Sequence, residues 1–372
     1  GVAESEIHKK YSNKMGYSKR EMYIQFLTRV YTEIPGVVLA NFSKLKNLQG
    51  PKFSEFRNFY RAKLEKIFIV QANTFDNVKG NFPIGFFIWD TKKEEKFKSV
   101  EADMYGKSGD WIGIKEILAY DNTRLINDWV KTFRKTNSES IGTIIGIASD
   151  FQNQRTVRFG KPFMKVPASN KNWQTTKDNL IQTSIYYTVR RIINADWVND
   201  RDQFLWPSDG WKGDTEFQNN CLAHTLFTND ISCDFGVNNW IPFTEKEVNS
   251  KECFESNFMT NFINGKIKFE KNISLFDDQE NLPIKKEFSE EAKAVIDSGR
   301  ELWRYYHSQP EVNVNASYYD IRAYFQGRNE KGRMNSRSDD EKYTALLGDL
   351  KNKLYLLSDE IKPKIYEYEF LK

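Results

Sequence analysis

The sequence predicts an α/β chain in three parts: a partial sheet with helices over about residues 1–95, an α+β region over 96–285, and a helical tail over 286–372. Three observations carry this division. Helical and strand-like periodicities alternate through the first ninety or so residues. Beyond about residue 110 the periodic segments lengthen, and the last stretch is striped with leucine at helical spacing.

Ser18 and Glu21 have the spacing of a capping box, and Met22, Tyr23, Phe26, Leu27, Val30, Tyr31 and Ile34 recur at helical intervals, so a helix is expected up to the turn at 34–36. GVVLANF (36–42) is short, apolar and β-branched, which suits a buried strand, and FSEFRNFYRAKL (53–64) returns to helical spacing. KIFIVQA (66–72) and IGFFIWD (84–90) read as further strands. Strands apolar on both faces imply a sheet covered on both sides. Three strands and two helices would leave one sheet edge open, so an element from upstream of residue 17 or from another chain is expected to complete it.

TKKEEKFKSVEADMYGKSGD (91–110), charged and glycine-containing, reads as the first boundary. After it, TRLINDWVKTF (123–133) reads as a helix, SIGTIIGIA (140–148) as a strand and DNLIQTSIYYTVRRII (178–193) as a helix. The polar stretch 264–288 lacks a clean period. Helices are expected over 289–306, 317–325 and 339–358, the last buried along Leu346, Leu347, Leu350, Leu354 and Leu357, and there is no internal repeat.

The 372 residues, 39% of them hydrophobic, are enough for a sizeable core and for two or three domains. No run approaches the roughly 18 apolar residues of a membrane span, and the first residues lack the apolar centre of a signal peptide, so a cytoplasmic location is expected. Gly1 stands where an initiator Met is usual, so a natural start further upstream is expected. The balance of 55 basic against 51 acidic residues leaves any polyanionic partner to local clustering. Cys221, Cys233 and Cys253 are too few for a disulfide framework. Cys221 and His224 have C-x-x-H spacing, yet DTEFQNNCLAHTLF reads as a helix with Phe217, Cys221 and Leu222 on its apolar face, and no metal site is assigned.

Neither a G-x-G-x-x-G turn nor a P-loop occurs; Gly142 and Gly146 lie inside an apolar strand, where close packing accounts for them. The three histidines, His8, His224 and His307, form no strand-turn-helix nucleophile site. Glu360, Ile361 and Lys362 have a nuclease-like Glu-x-Lys spacing, but at the end of the leucine-striped helix. No catalytic residue is therefore assigned to this chain.

TFDNVKGNFP (74–83) is more informative, for it places Phe75, Lys79 and Phe82 on a loop between two apolar strands. An enzyme that flips a base out of a duplex stacks it on an aromatic face and meets the backbone phosphate with a cation. The same residues fit a plainer role, the two rings capping the core and the lysine facing water. A second candidate is FQNQRTVRFGKPFMKVPASNKNWQTTKDN (151–179). Its cations Arg155, Arg158, Lys161, Lys165, Lys171 and Lys177 interleave with Phe159, Phe163 and Trp173, and Gln152, Asn153, Gln154 and Asn172 have the donors and acceptors to read adenine. Arg190 and Arg191 close a helix whose dipole favours them, and Trp206 and Trp211 flank a turn they are expected to anchor to the core.

The run MYIQFLTRVYTEIPGVVLANFSKLKNLQGPKFSEFRNFYRAKLEKIFIVQANTFDNVKGNFPIGFFIWD resembles the segment after the Asn-Pro-Pro-Tyr motif of N6-adenine DNA methyltransferases of restriction-modification systems. NDRDQFLWPSDGWKGDTEFQNNCLAHTLF (199–227) and GRELWRYYHSQPEVNVNASYYDIRAYFQGRNEKGRMN (299–335) look like downstream parts of the same enzymes. The resemblance implies a Rossmann-like catalytic domain that binds S-adenosylmethionine and methylates the exocyclic nitrogen of a flipped adenine, joined to a region that selects the DNA sequence. It also implies that Phe75, with Phe82 in reserve, stacks the base with Lys79 near phosphate, and it strengthens the expectation drawn from the basic stretch that Arg155, Arg158, Lys161, Lys171, Asn172 and Trp173 contact DNA. The family's glycine-rich cofactor turn and its Asn-Pro-Pro-Tyr are absent, so the chain is expected to be inactive alone, with double-stranded DNA and a missing methylase half as partners. Two other roles stay open: a non-catalytic DNA-specificity subunit, and a protein-interaction module built on the helical tail.

Overall fold

A mixed sheet organises the first of two units in the computed structural model, which describes residues 5–134, 138–164, 171–267 and 285–372. This unit comprises Gly1–Thr123, Asp150–Gln152 and Ala195–Gln203. Its elements are α1 (Glu6–Met15), α2 (Met22–Glu33), β1 (Val38–Lys44), α3 (Lys46–Gln49), α4 (Ser54–Phe59), β2 (Ala62–Gln71), β3 (Pro83–Glu94), β4 (Ser99–Tyr105) and β5 (Trp111–Leu118). The strand order is β1-β3-β2-β4-β5. β3 is antiparallel to both β1 and β2, so those two run parallel to each other with β3 inserted between them. β4 joins β2 in parallel and returns as an antiparallel hairpin with β5.

The period-2 alternation of the strands decides what each face does. Ile67, Ile69, Phe87 and Trp89 point to one face and form a core with Tyr11 and Met15 of α1, Ile24 and Leu27 of α2, and Phe56 of α4. Phe42, Phe68 and Phe86 point to the other, in register across β1, β3 and β2. Their rings pack on one another, with centroids 4.7 to 6.1 Å apart. None belongs to the helical core, and Phe42 keeps 50% and Val38 68% of its surface exposed.

The second unit comprises Arg124–Ser149, Asn153–Asn194 and Phe204–Lys372. It contains α5 (Ile126–Lys131), β6 (Gly142–Gly146), β7 (Arg158–Gly160), β8 (Lys171–Thr175), α6 (Leu180–Ile192), α7 (Thr215–Leu226), α8 (Phe258–Ile263), α9 (Glu290–His307), α10 (Tyr318–Gln326) and α11 (Glu341–Glu367). β6 is the central strand of an antiparallel three-stranded sheet. A Cβ at Gly142 would stand 2.7 Å from the Phe159 ring, and one at Gly146 2.5 Å from the Tyr186 hydroxyl, so both glycines serve close packing. Around this sheet α6, buried on almost every side, packs with α7, while α9 packs with α11.

The α/β opening and the helical C-terminus agree with the sequence expectation; several details do not. The capping box is not formed: the buried Ser18 hydroxyl donates to the Met15 carbonyl (2.6 Å) inside a 3-10 turn, and α2 starts at Met22 without a side-chain cap. The helix expected over 53–64 stops at Phe59, and Ala62 already belongs to β2. β1 is an edge strand with an exposed face and not a buried one, and among the described residues the helices of this unit join the core on one face of the sheet, where cover on both was expected. The stretch 91–110, read as a boundary, holds the end of β3 and all of β4, because alternation there carries charged residues on an exposed face. The first break between the units falls at Thr123 and Arg124, and 150–152 and 195–203 return to the first unit. The last helix runs on past Ser358 through Pro363 to Glu367. Most of the aperiodic stretch 264–288 lies outside the described residues.

Candidate functional site

The loop leaving β2 is fixed at both ends. The Ala72 amide donates to the Phe82 carbonyl (2.9 Å), and the Gln71 side-chain amide donates to Asn81 Oδ1 (2.5 Å). Between them a 3-10 turn over Ala72–Thr74 precedes Phe75, whose amide donates to the Ala72 carbonyl (3.2 Å). Asn77 sits at φ +63, a left-handed conformation that asparagine tolerates. These bonds bring Phe75 back over the half-bare face, where its ring meets Phe42 edge to face at 5.3 Å and 74°. In such a pair neither ring covers both faces of the other, so the half-buried Phe75 keeps a ring face for a third partner.

Phe82 is committed elsewhere. Lys44 Nζ lies 5.1 Å from its ring centroid, and the ring packs so closely over Gly80 that a Cβ there would stand 2.4 Å from Cε1. Lys79 is exposed, and among the described residues its ammonium makes no ion pair or hydrogen bond.

The basic stretch of the second unit is less uniform than its sequence suggests. Arg155 and Lys171 are exposed. Arg158 lies 3.7 Å from Asp230 and Lys161 3.7 Å from Asp234, so two of the cations have carboxylates beside them. Trp173 is a core residue, 4% exposed with its ring 5.2 Å from Tyr186, because the register of β8 sets it inward beside Ile144 and Phe159. The indole is therefore packed inside the unit and not presented for the DNA contact expected of it. Asn172 is half-buried, its carbonyl accepting from Arg134 (3.4 Å), while Gln154 is buried and bonded to the Ile193 carbonyl. Lys165 lies outside the described residues. Trp211 is buried edge to face against Trp129, and the Arg124 guanidinium lies 3.2 Å from the centre of Trp206, so both indoles anchor their turn.

Cys221 and His224 are internal to α7. His224 Nδ1 lies 3.2 Å from the Thr188 hydroxyl, and burial with the nearby Arg191 pushes the imidazole pKa down to about 3. Burial also raises the Cys221 thiol well above its ordinary value. Among the described residues no group of three or more His, Cys, Asp or Glu is placed to hold a metal ion. Glu360 accepts from Ser289 Oγ (2.9 Å) and Asn220 Nδ2 (3.1 Å), a structural use of the Glu-x-Lys spacing.

Two polar clusters of the first unit had no sequence signal, since their partners are far apart in the chain. Arg57, 2% exposed, donates to Asp121 and to the carbonyls of Asn47 and Gly50. Asp202 accepts from Lys115 (2.6 Å) and Gln49 (2.9 Å), and burial raises its pKa against the opposing pull of Lys115.

No protein-family model matches the chain, and no solved structure does. It is similar to the Ras-related protein rab-39 of Caenorhabditis elegans, 26% identical over 158 residues, which span 39% of this chain and 67% of that protein. A nucleotide-binding phosphate loop needs a lysine and then Ser or Thr after its second glycine. Gly80 and Gly85, and Gly327 and Gly332, have the glycine spacing, but Phe86 and Arg333 stand where the lysine would be. No helix among the described residues is long and apolar enough to cross a membrane.

Proposed function

We propose that this chain is the distal part of an adenine-N6 DNA methyltransferase of the restriction-modification type, active only when a second half completes its sheet. The observation that carries the reading is the half-bare ring face of β1, β3 and β2 beside a β1 edge that pairs with nothing else among the described residues. An apolar face of this kind is stabilised by burial at roughly 25 cal/mol per Å2. An unpaired strand edge accepts another strand. The distal half of a Rossmann-like sheet needs both: a strand along β1 and helices on the ring face. Phe75 stands on the loop next to that face, where a flipped base would reach it, and Lys79 is free to meet a backbone phosphate.

The residues present do not fit S-adenosylmethionine. No glycine-rich turn follows β1 or β2, and the GKSGD turn after β4 closes the hairpin to β5, its Gly106 amide donating to the Asp110 carbonyl (2.8 Å), instead of leading into a helix whose N-terminus could hold the cofactor. Cofactor and catalytic chemistry are assigned to the completing half, and this chain's own part is to stack the base and hold the duplex. The test is reconstitution with a cofactor-binding half, followed by transfer of labelled methyl to duplex DNA. The reading expects no transfer by this chain alone and a large loss of transfer, with binding kept, for Phe75→Ala in the reconstituted enzyme. Robust transfer by the chain alone overturns it. Equal loss of binding and transfer makes Phe75 a core residue; full transfer in the variant leaves a non-catalytic specificity subunit as the reading.

A further inference from the structure

Between α10 and α11 the chain makes a tight bridged turn. Arg328 pairs with Met334, the Asn329 amide donates to the Arg333 carbonyl (2.9 Å), and Asn335 and Gln326 exchange two bonds of 2.7 and 3.0 Å. Arg328 is held inside it by the Gly332 carbonyl (3.0 Å) and the Tyr319 hydroxyl (3.2 Å). Lys331, Arg333 and Arg337 are exposed, and among the described residues none has an ion pair or a side-chain hydrogen bond. Beside the turn lies a cavity of about 310 Å3 whose wall sets Ser336, Arg337 and Lys351 beside Tyr343, Leu347 and Gly348, and no carboxylate lines it.

Gly348 supplies an independent observation. It lies within the 27-residue helix α11, where glycine is less favourable than alanine by roughly 1 kcal/mol. A Cβ built on it meets nothing within 4 Å, so packing inside the chain does not require the glycine. A bare helix backbone at the wall of a cavity that carries two cations and no carboxylate suits close approach by an outside anionic group such as a phosphate.

We propose that the turn at 328–334 and the adjoining cavity grip the sugar-phosphate backbone of duplex DNA. Arg333, Arg337 and Lys351 are the phosphate contacts and Gly348 is the point of closest approach. The site deepens the methyltransferase reading, on which its choice of a DNA polyanion rests. It also moves the backbone grip away from Arg158 and Lys161, which already face Asp230 and Asp234.

The experiment is titration of the full chain with a labelled duplex at several salt concentrations, with thermal unfolding as the folding control. Each phosphate contact contributes about 0.9 to the slope of log affinity against log salt. Arg337→Ala with Lys351→Ala is expected to lower that slope by about two and to weaken binding on the order of tenfold. Gly348→Ala is expected to raise the melting temperature while weakening binding, opposite signs that a merely structural glycine would not give. An unchanged slope in the double variant, or unchanged affinity in Gly348→Ala, overturns the site. Equal loss on Arg155→Ala leaves the site no special part in the grip and also overturns it. Heparin binding as tightly as duplex overturns the assignment to DNA. Failure of the unaltered chain to bind duplex overturns this site together with the DNA partner. If the site's variants behave as expected while the reconstituted enzyme transfers no methyl, the methyltransferase reading falls and the site stands.

Discussion

Phe42 and Phe75 meet edge to face, their centroids 5.3 Å apart, one from the edge strand and the other from the loop that follows β2. The contact ties the loop to the only sheet face on which an incoming group could find an aromatic wall among the described elements. Stacking of a base on an aromatic side chain is worth about 1–3 kcal/mol, so on the proposed methyltransferase reading Phe75→Ala should lower methyl transfer by a reconstituted enzyme roughly 5- to 150-fold. Phe82→Leu should leave transfer within a few-fold, since the Phe82 ring is occupied by Lys44 and Gly80. Single-turnover transfer beside duplex binding separates the two variants; the reverse ranking would reassign the stacking role.

Val38 tests the open edge. It is 68% exposed at the start of β1, so Val38→Lys should change the stability of the chain by no more than about 0.5 kcal/mol. A lysine there would discourage both self-pairing of the edge and docking of a completing half. Sedimentation should show less self-association, and complementation should fall. Complementation at the unaltered level would mean that the other half does not dock along β1.

Much of the fold was legible because period and burial agree. α6 and α9 begin and end within two residues of their expected limits, as does α10, since each carries a long apolar stripe. β4 and β5 were missed because Glu101 and Asp103 in one and Gly113, Lys115 and Glu116 in the other interrupt the apolar pattern that marks a buried strand. The ring face was read as buried for the converse reason: apolar residues on both sides of a strand say that something covers each side, not that this chain supplies the cover. Phe75 and Lys79 were visible as residue types on a loop, whereas the inward turn of Trp173 depends on β8 register. The bridged turn gave no signal beyond its basic composition, because unpaired cations are recognised only once the carboxylates have been placed.

Arg57 and Asp121 form a buried pair whose guanidinium also satisfies two backbone carbonyls. Removing one partner leaves the other charged and dry, which typically costs 3–5 kcal/mol. Asp121→Asn should therefore lower the urea midpoint of the chain strongly, and more than the double replacement Arg57→Met with Asp121→Leu. A small effect of the single substitution would show that water reaches Arg57 in solution.

The two buried histidines make the second unit sensitive to acid. Burial lowers the His224 pKa from 6.5 to about 3 and that of His307 to about 4, and His307 Nε2 has no partner among the described residues to hold a proton in place. Both are neutral in the folded chain and take up protons on unfolding. Their contribution to stability is therefore complete above pH 6.5 and is lost as pH falls through the unfolded value toward the folded ones. Two such groups remove up to about 2.7 kcal/mol per pH unit, with most of that slope developed by about pH 5, ahead of the ordinary carboxylates. His224→Asn keeps an acceptor near the Thr188 hydroxyl but cannot titrate, so it should remove about half of the histidine contribution and make the slope of unfolding free energy between about pH 6 and 5 shallower. Urea unfolding across that window measures it, and an undiminished slope would mean that His224 is already protonated in the folded chain.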